Sequence, residues 1–295
     1  MLLAHFSDVH VSSLPLGWRK SDYLSKRVTG WANLRFLGRA KHFHDAAHVL
    51  TELMADLAIQ KPNHLIFSGD ATGLGFENEL AIAVRIMSVA NSGGLPGLAV
   101  PGNHDYYTPR DVASGNFERS FDPWQQGERI EGHRYPFAQK VGAHWLVAVN
   151  SSTANWGLVD ASGEVGPEQL ARLEALLNRL SPEPRILVTH YPICLAEGQP
   201  EKRLHGLRDL PQVLDVLRDR GICLWLHGHR HHAYRLQHPP QANFPVICSG
   251  SATQHGRASY GLYEIEGHLL RGRRRRFNAE RQIFEDAEQF ELELP

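Results

Sequence analysis

The sequence has no strong charge of either sign. Its 295 residues contain 31 Lys and Arg against 32 Asp and Glu, a formal net charge of -1. Such a chain has no global field that attracts nucleic acid or an anionic membrane, so any such contact must come from a local patch. The sequence also lacks a run of the roughly 20 apolar residues that a transmembrane helix needs. The first residues, MLLAHFSDVH, lack the features of a signal peptide. We therefore expect no integral membrane segment and a cytoplasmic protein.

Cysteine is scarce as well. The three cysteines, Cys194, Cys223 and Cys248, are odd in number, widely spaced, and each lies in or beside an apolar run. This pattern argues against a disulfide framework and predicts buried free thiols in a reducing compartment. No internal repeat, low-complexity tract or Pro/Gly/Ser linker is found, and hydrophobic residues make up 42% of the chain. We expect one domain over residues 1–295 with a sizeable core.

Short apolar runs and helical periodicity alternate along the chain. Buried strands are predicted at LLAHF (2–6), HLIF (64–67), GLAV (97–100), HWLVAV (144–149), RILVT (185–189), ICLWL (222–226) and FPVIC (244–248). Amphipathic helices are predicted at 43–58, at about 167–180 and at roughly 210–220. YGLYEIEG and HLLRGRRRRF predict antiparallel closing strands, followed by an acidic tail, at about 244–295. This order indicates a layered α/β sandwich.

Polar side chains follow five of the predicted strands. They are Asp8 and His10, then Asp70, then Asn103, His104 and Asp105, then His190, and finally His229 and His231 within HGHRHH. Ligands of open α/β sheets bind beyond the carboxyl ends of the strands, so we expect these groups to lie close together. Each motif alone is better explained by turn chemistry, and a lone histidine is more often a satisfied interior residue. Chance is a poor explanation for five such turns that all supply metal ligands.

The motifs D-x-H, G-D, G-N-H-D, a lone His and G-H-x-H occur in this order over residues 8 to 231. The set resembles the calcineurin-type binuclear metallophosphoesterase family. The resemblance implies a four-layer α/β/β/α sandwich of two mixed β-sheets flanked by helices. It also implies two sets of metal ligands: Asp8, His10 and His231 in one, and Asn103, His190 and His229 in the other.

The remaining motif residues receive roles from the same resemblance. Asp70 would bridge both metals, and His104 would touch the substrate without binding a metal, oriented by Asp105. His227 and His232 lie outside the motif and are predicted to be neighbours of the site. Gly69, Gly102 and Gly228 flank the predicted ligands, where a glycine lets the backbone pass close to a site.

The implied chemistry is hydrolysis of a small anionic phosphodiester by in-line attack of a metal-bound hydroxide. Two cations about 3.5–4 Å apart polarise the phosphoryl oxygens, and a bridging carboxylate offsets their repulsion. Imidazole, carboxylate and amide ligands without thiolate favour Mn, Fe or Zn. The compact chain resembles the bacterial phosphodiesterase branch that includes cyclic-nucleotide phosphodiesterases. A nucleotide-pyrophosphate or phosphomonoester hydrolase of the same family stays open. So does a non-enzymatic nucleic-acid or membrane-surface binding protein with a vestigial metal site, which is less favoured.

Two basic segments could contact a substrate or partner. The insert at about 14–41 contains seven basic residues against Asp22 alone, interleaved with four aromatic residues. It predicts either a cover for an anionic substrate, such as a nucleotide or a phospholipid surface, or a surface element with solvated charges. The run RGRRRR (271–276) is a candidate nucleic-acid patch, but the acidic residues after it favour neutralisation on an edge ribbon.

Overall fold

A computed structural model describes residues 1–13, 17–36, 38–89, 94–157 and 159–295. Its strands are β1 (Leu2–Phe6), β2 (His64–Phe67), β3 (Gly97–Ala99), β4 (Glu128–Arg129), β5 (Phe137–Val141), β6 (His144–Ala148), β7 (Arg185–Val188), β8 (Ile222–His227), β9 (Tyr234–Leu236), β10 (Val246–Cys248), β11 (Ser259–Glu266), β12 (Leu269–Asn278) and β13 (Ile283–Glu293). Its helices are α1 (Lys26–Phe36), α2 (Arg39–Phe43), α3 (Ala46–Gln60), α4 (Glu77–Ile86), α5 (Pro109–Ser114), α6 (Asn116–Ser120), α7 (Pro167–Arg179) and α8 (Leu210–Leu217). Among these residues no helix has the length and apolar character that crossing a membrane requires.

The strands form two mixed sheets. The first has six strands in the order β13-β12-β11-β1-β2-β3, and the second has seven in the order β4-β5-β6-β7-β8-β10-β9. Strands β1 to β3 are parallel neighbours, as are β6, β7, β8 and β10. The carboxyl ends of these parallel strands carry the predicted site residues.

Apolar side chains cover both faces of each sheet, because successive side chains of a strand point to opposite sides. One buried cluster lies between the two sheets and includes Leu3, Ile66, Ile186 and Leu224. The opposite faces pack against helices. Phe6 and Leu65 of the first sheet lie against Leu50, Leu53 and Leu57 of α3, and Val147 and Leu187 of the second lie against Leu173 and Leu177 of α7. The predicted four-layer α/β/β/α sandwich is confirmed.

The seven predicted apolar strands all form, and their ends differ from the prediction by at most two residues. The predicted helix at 43–58 is wrong at its start, because Phe43 ends α2 and α3 begins only at Ala46. Three cysteines are buried and free, as predicted, and burial raises the pKa of Cys194 to about 11. That the whole chain forms one domain stays a prediction. Residues 14–16 and 37 of the insert lie outside the described residues.

The acidic stretch after RGRRRR forms a strand rather than a tail. Strand β13 pairs antiparallel with β12, which places acidic side chains beside the arginines. Arg274 contacts Glu288 at 2.9 Å, and Arg275 contacts Asp286 at 2.8 Å and the buried Asp56 at 2.6 Å. Arg271 and Arg273 also contact acidic side chains, so four of the five arginines of the run are paired within the sheet.

Candidate metal centre

The turns after β1, β2, β3, β7 and β8 bring all seven predicted ligands to one place. In a first cluster, His10 Nε2 lies 2.9 Å from His231 Nε2, 3.8 Å from Asp8 Oδ1 and 3.6 Å from Asp70 Oδ2. His231 Nε2 is 3.2 Å from Asp8 Oδ1. One ligand atom from each of these four residues lies within 4.8 Å of the others. Such spacing leaves room for one ion among them.

A second cluster shares Asp70 with the first. Asn103 Oδ1 lies 3.2 Å from His190 Nε2 and 3.0 Å from His229 Nδ1, and these two nitrogens are 3.3 Å apart. His190 Nε2 is 3.5 Å from Asp70 Oδ2, the same oxygen that faces His10. Asp70 Oδ2 thus lies where a ligand common to two ions must lie.

Backbone carbonyls hold the outer nitrogen of three of these imidazoles. His10 Nδ1 bonds to Thr72 O at 3.1 Å, His190 Nδ1 to Ser68 O at 2.8 Å and His229 Nε2 to His205 O at 2.9 Å. Because a carbonyl only accepts, each of these nitrogens carries the hydrogen when its ring is neutral. The other nitrogen then turns its lone pair toward the cluster, the arrangement usual for metal-binding histidines.

The donor set fits metal ions better than it fits a hydrogen-bond network. Asp8 Oδ1 is buried and makes no hydrogen bond in the described structure. A buried, unsatisfied carboxylate oxygen among imidazole lone pairs is costly unless a cation lies there. The two clusters therefore match two divalent ions with oxygen and nitrogen ligands.

Charges within the clusters are strongly coupled. Burial would raise the pKa of Asp70, but the imidazoles of His190 and His104 outweigh it and hold this pKa well below its ordinary value. Burial would lower the pKa of His190, but the Asp70 carboxylate raises it to about 9. Burial lowers the pKa of His229 to about 3. Since a protonated imidazole cannot bind a metal, an ion entering the second cluster must displace the proton of His190.

The ligand turns have unusual backbone angles. Five predicted ligands that are not glycine have positive φ, listed in chain order as 53° at Asp8, 45° at His10, 61° at Asp70, 70° at His229 and 53° at His231. Such conformations cost on the order of 1–3 kcal/mol each and persist where the surroundings impose them, often at functional sites. The turns of β1 and β2 support each other here, since Val9 N–H donates to Asp70 O at 2.9 Å.

Glycines permit the close approach of these turns, as the sequence predicts. A Cβ at Gly228 would lie 1.9 Å from Ser7 Oγ and 2.5 Å from Asp8 Oδ2. A Cβ at Gly102 would lie 2.1 Å from Asp70 Oδ1. Any side chain at either position would push a ligand carboxylate out of place.

Asp105 has a different set of contacts from the one expected. Its carboxylate accepts the backbone N–H groups of Asp70, Ala71 and Gly102 at 2.9 Å each, and of Thr72 at 3.1 Å. His104 Nδ1 bonds instead to Gly73 O at 2.9 Å. The expectation that Asp105 directly orients the imidazole of His104 is corrected, because both Asp105 oxygens are engaged by the turn that carries the shared ligand.

His104 lies at the edge of the first cluster. Its backbone N–H donates to Asp70 Oδ1 at 2.7 Å, and its ring centroid is 4.8 Å from that of His10 in an edge-on arrangement. His227, which we predicted to be a neighbour, is fully buried, and burial lowers its pKa to about 4. His232 is exposed.

Known proteins resemble this chain in sequence and in architecture. The model of the family described as calcineurin-like phosphoesterase matches residues 1–233. The chain belongs to this family. This phosphoesterase is 26% identical over 236 residues to a protein of Pseudoalteromonas sp. (strain SM9913) described as a "probable cyclic nucleotide phosphodiesterase", covering 80% of this chain and 73% of that protein.

Solved structures agree with the fold of this phosphoesterase. A dimetal phosphatase from Danio rerio has a TM-score of 0.67 at 13% identity, with 100% of this chain and 99% of that one covered. Purple acid phosphatase PPD1 from yellow lupin (Lupinus luteus) has a TM-score of 0.58 at 11% identity, with 99% and 53% covered. The family uses two metal ions, so the chain is a metal-dependent phosphoesterase.

Some contacts of the phosphoesterase site have no sequence signal. The ring of Phe43 lies edge-on to His10 and His231, with centroids 4.7 and 5.6 Å away. Helical periodicity assigns Phe43 to the core, and nothing in its position marks it as a wall of the site. The sequence also does not mark the backbone carbonyls that hold the ligand histidines, because every residue has a carbonyl. These carbonyls belong to Thr72, Ser68 and His205.

We predict that Asp70→Asn lowers metal content at both clusters, because the neutral amide removes the negative charge between them. Turnover should fall more than about 100-fold, beyond the range of about 10–100-fold typical of losing a partner that only supports a ligand. Elemental analysis and steady-state rates measure both effects. Asp215→Asn, at an exposed residue that pairs with Arg218 at 2.7 Å, is the control and should match the natural protein. Two retained ions and normal turnover would refute the shared-ligand role.

A second prediction separates the two roles considered for Asp105. Asp105→Asn should reduce the free energy of unfolding by about 1–3 kcal/mol, because an amide NH₂ would face buried backbone N–H donors. Metal content should fall too, since the turn of Asp70 loses its brace. Urea unfolding and elemental analysis test this. If the variant instead kept both ions and behaved like a His104 substitution, Asp105 would act through His104 after all.

Proposed function

We propose that this phosphoesterase hydrolyses a small phosphodiester with a divalent ion, Mn, Fe or Zn, in each of the two clusters. The observation that carries the proposal is the position of Asp70 Oδ2, within 3.6 Å of His10 and 3.5 Å of His190. Two ions held so close, when bound, polarise the phosphoryl oxygens and supply the nucleophile at neutral pH. Asp8, His10 and His231 would hold one ion, Asn103, His190 and His229 the other, and Asp70 both.

Support for a diester substrate comes from the relative in Pseudoalteromonas, whose description names a cyclic nucleotide phosphodiesterase. A cyclic nucleotide and another small phosphodiester are therefore the first substrates to test. The panel should include cyclic nucleotides, glycerophosphodiesters, nucleotide pyrophosphates and phosphomonoesters with Mn-loaded protein, and Asp70→Asn as the inactive control. Faster turnover of the pyrophosphates or monoesters than of any diester would overturn the proposed bond specificity.

His104 is the residue of this chain that we assign to the leaving group. Its Nδ1–H can donate to Gly73 O in both protonation states, which leaves Nε2 as the nitrogen that gains or loses a proton. The ring lies beside the first cluster without belonging to either ligand set. An imidazolium there can protonate the departing alkoxide, a contribution of typically about 10²–10⁴-fold when the leaving group is basic.

His104→Ala should keep both ions and slow the hydrolysis of alkyl or nucleoside esters by about 10²–10⁴-fold. Nitrophenyl esters should be slowed much less, because nitrophenolate leaves without a proton. Rates for a series of leaving groups and the metal content of each preparation measure this. His238→Ala, at an exposed histidine, is the matched control. Equal losses for both ester types would rule out proton donation, and lost metal would indicate a bracing role for His104.

A further inference from the structure

Several exposed apolar side chains lie on segments that contact residues around the metal centre. In the part of the chain that the structure describes, the three most exposed large apolar side chains are Leu24, Trp156 and Val159, at 95, 87 and 75%. Tyr23 and Leu204 are exposed as well. We refer to these five residues as the apolar rim. Single exposed apolar residues are ordinary, but several around one opening indicate a binding surface.

Contacts join the three segments of the rim into one surface. Lys26, two residues after Leu24, donates from Nζ to the carbonyl of Asp160, which follows Val159. Asp160 N–H also donates to the carbonyl of Gly157, the residue after Trp156, at 3.2 Å. Ala161 N–H donates to Leu204 O at 2.9 Å. These contacts place the segments of the rim next to one another, from the insert to the loop before α8.

The rim is connected to the metal centre at both ends. The residue after Leu204 is His205, whose carbonyl holds Nε2 of the ligand His229 at 2.9 Å. At the other end, Lys26 Nζ lies 5.7 Å from the ring centroid of Tyr107, and that ring is 5.1 Å from the ring of His104. The rim therefore adjoins residues that contact both clusters.

The insert holds its part of the rim on a rigid support. Arg27 is buried and donates to Leu74 O at 2.9 Å and Gly75 O at 3.0 Å, and pairs with Asp111 at 2.8 Å. Helix α1 also fits closely against Tyr107, because a Cβ at Gly30 would lie 2.0 Å from its hydroxyl oxygen. Tyr23 and Leu24 lie in the 3₁₀ turn Lys20–Leu24 directly before α1, and both are exposed next to this anchored helix.

Exposed basic residues adjoin two segments of the rim. Lys20 lies in the same turn as Tyr23 and Leu24, and Lys202 and Arg203 precede Leu204 in the chain. The acidic neighbours are engaged elsewhere: Asp22 pairs with the buried Arg27 at 2.6 Å, and Glu201 pairs with Arg230 at 2.7 Å. Apolar tips with an exposed Trp, surrounded by Lys and Arg, are the combination that binds the interface of an anionic bilayer.

We propose that the apolar rim seats this phosphoesterase on an anionic lipid surface, and that its substrate is an amphiphilic phosphodiester drawn from that surface. The lipid tail would stay in the bilayer while the phosphate reaches the metal clusters. Water then adds across one P–O bond, giving a phosphomonoester and an alcohol. The substrate part of this inference rests on the proposed function, whereas the docking part does not.

Vesicle sedimentation tests the docking. The full-length protein should bind vesicles of equal phosphatidylglycerol and phosphatidylcholine, and bind pure phosphatidylcholine at least about 10-fold more weakly, with affinity falling as salt rises. The triple variant Leu24→Ser, Trp156→Ser, Val159→Ser should lose at least about 10-fold in binding. The matched control is Ile59→Ser with Ile283→Ser, which removes exposed apolar residues outside the rim and should bind normally.

Activity measurements distinguish the docking part of the proposal from the substrate part. The quantity to compare is the rate on a lysophospholipid-type phosphodiester in mixed vesicles divided by the rate on soluble bis(p-nitrophenyl) phosphate. We expect this ratio to be at least about 10-fold lower for the triple variant than for the natural protein. Normal turnover of the soluble ester without vesicle binding would overturn the docking proposal while leaving the proposed function standing. Vesicle binding without hydrolysis of any diester would do the reverse. Concentration-dependent dimers that the triple variant abolishes, with no lipid binding, would assign the rim to a second copy of the chain.

Discussion

One carboxylate oxygen carries the arrangement of the site. Asp70 Oδ2 faces an imidazole from each of the two sheets, His10 after β1 and His190 after β7. It can do so only because the turn after β2 takes a positive φ at Asp70 and a left-handed Gly69 beneath it. The Asp105 carboxylate holds that turn by accepting hydrogen bonds from the backbone N–H groups of Asp70, Ala71 and Thr72. The position of a single oxygen therefore depends on the carboxyl ends of strands in both sheets and on a second buried carboxylate.

This dependence explains why strain and close packing occur together at the site. The ligand turns would relax to ordinary backbone angles if they stood alone, since left-handed conformations of non-glycine residues are unfavourable. Gly228 and Gly102 let neighbouring turns press against Asp8 and Asp70. The sandwich core then supplies the stability that the strained turns lack, because its two sheets are fixed by fully buried clusters on both faces. Two bound ions would add to this, one of them by satisfying Asp8 Oδ1, which makes no hydrogen bond within the described residues.

Sequence reasoning succeeds here where the signal is local and periodic. Apolar runs of four to six residues define the buried strands, and the polar residues directly after them must lie close together at the strand ends. The assignment of individual ligands comes from the resemblance that the five motifs carry. Sequence reasoning fails where a role depends on contacts made in three dimensions. A carboxylate next to His104 in sequence suggests a partner for that ring, yet Asp105 points back into the Asp70 turn. Phe43 has the spacing of a core residue but lies against two ligands, because α2 ends there and α3 starts afresh.

The insert shows why a count of charges cannot decide between its two interpretations. Seven basic residues against one acidic residue indicate a strongly positive surface. In the folded protein Arg27 is buried between Asp22 and Asp111, and Arg19 lies 3.8 Å from Glu77. Part of the positive charge is therefore paired with carboxylates that hold the insert in place. Adjacent positions of a helix are rotated by about 100°, which lets Arg27 anchor α1 while Lys26 faces Asp160 and the site. The electrostatic attraction left for an anionic surface is therefore modest, and the exposed apolar side chains beside it must provide most of the affinity if the rim binds lipid.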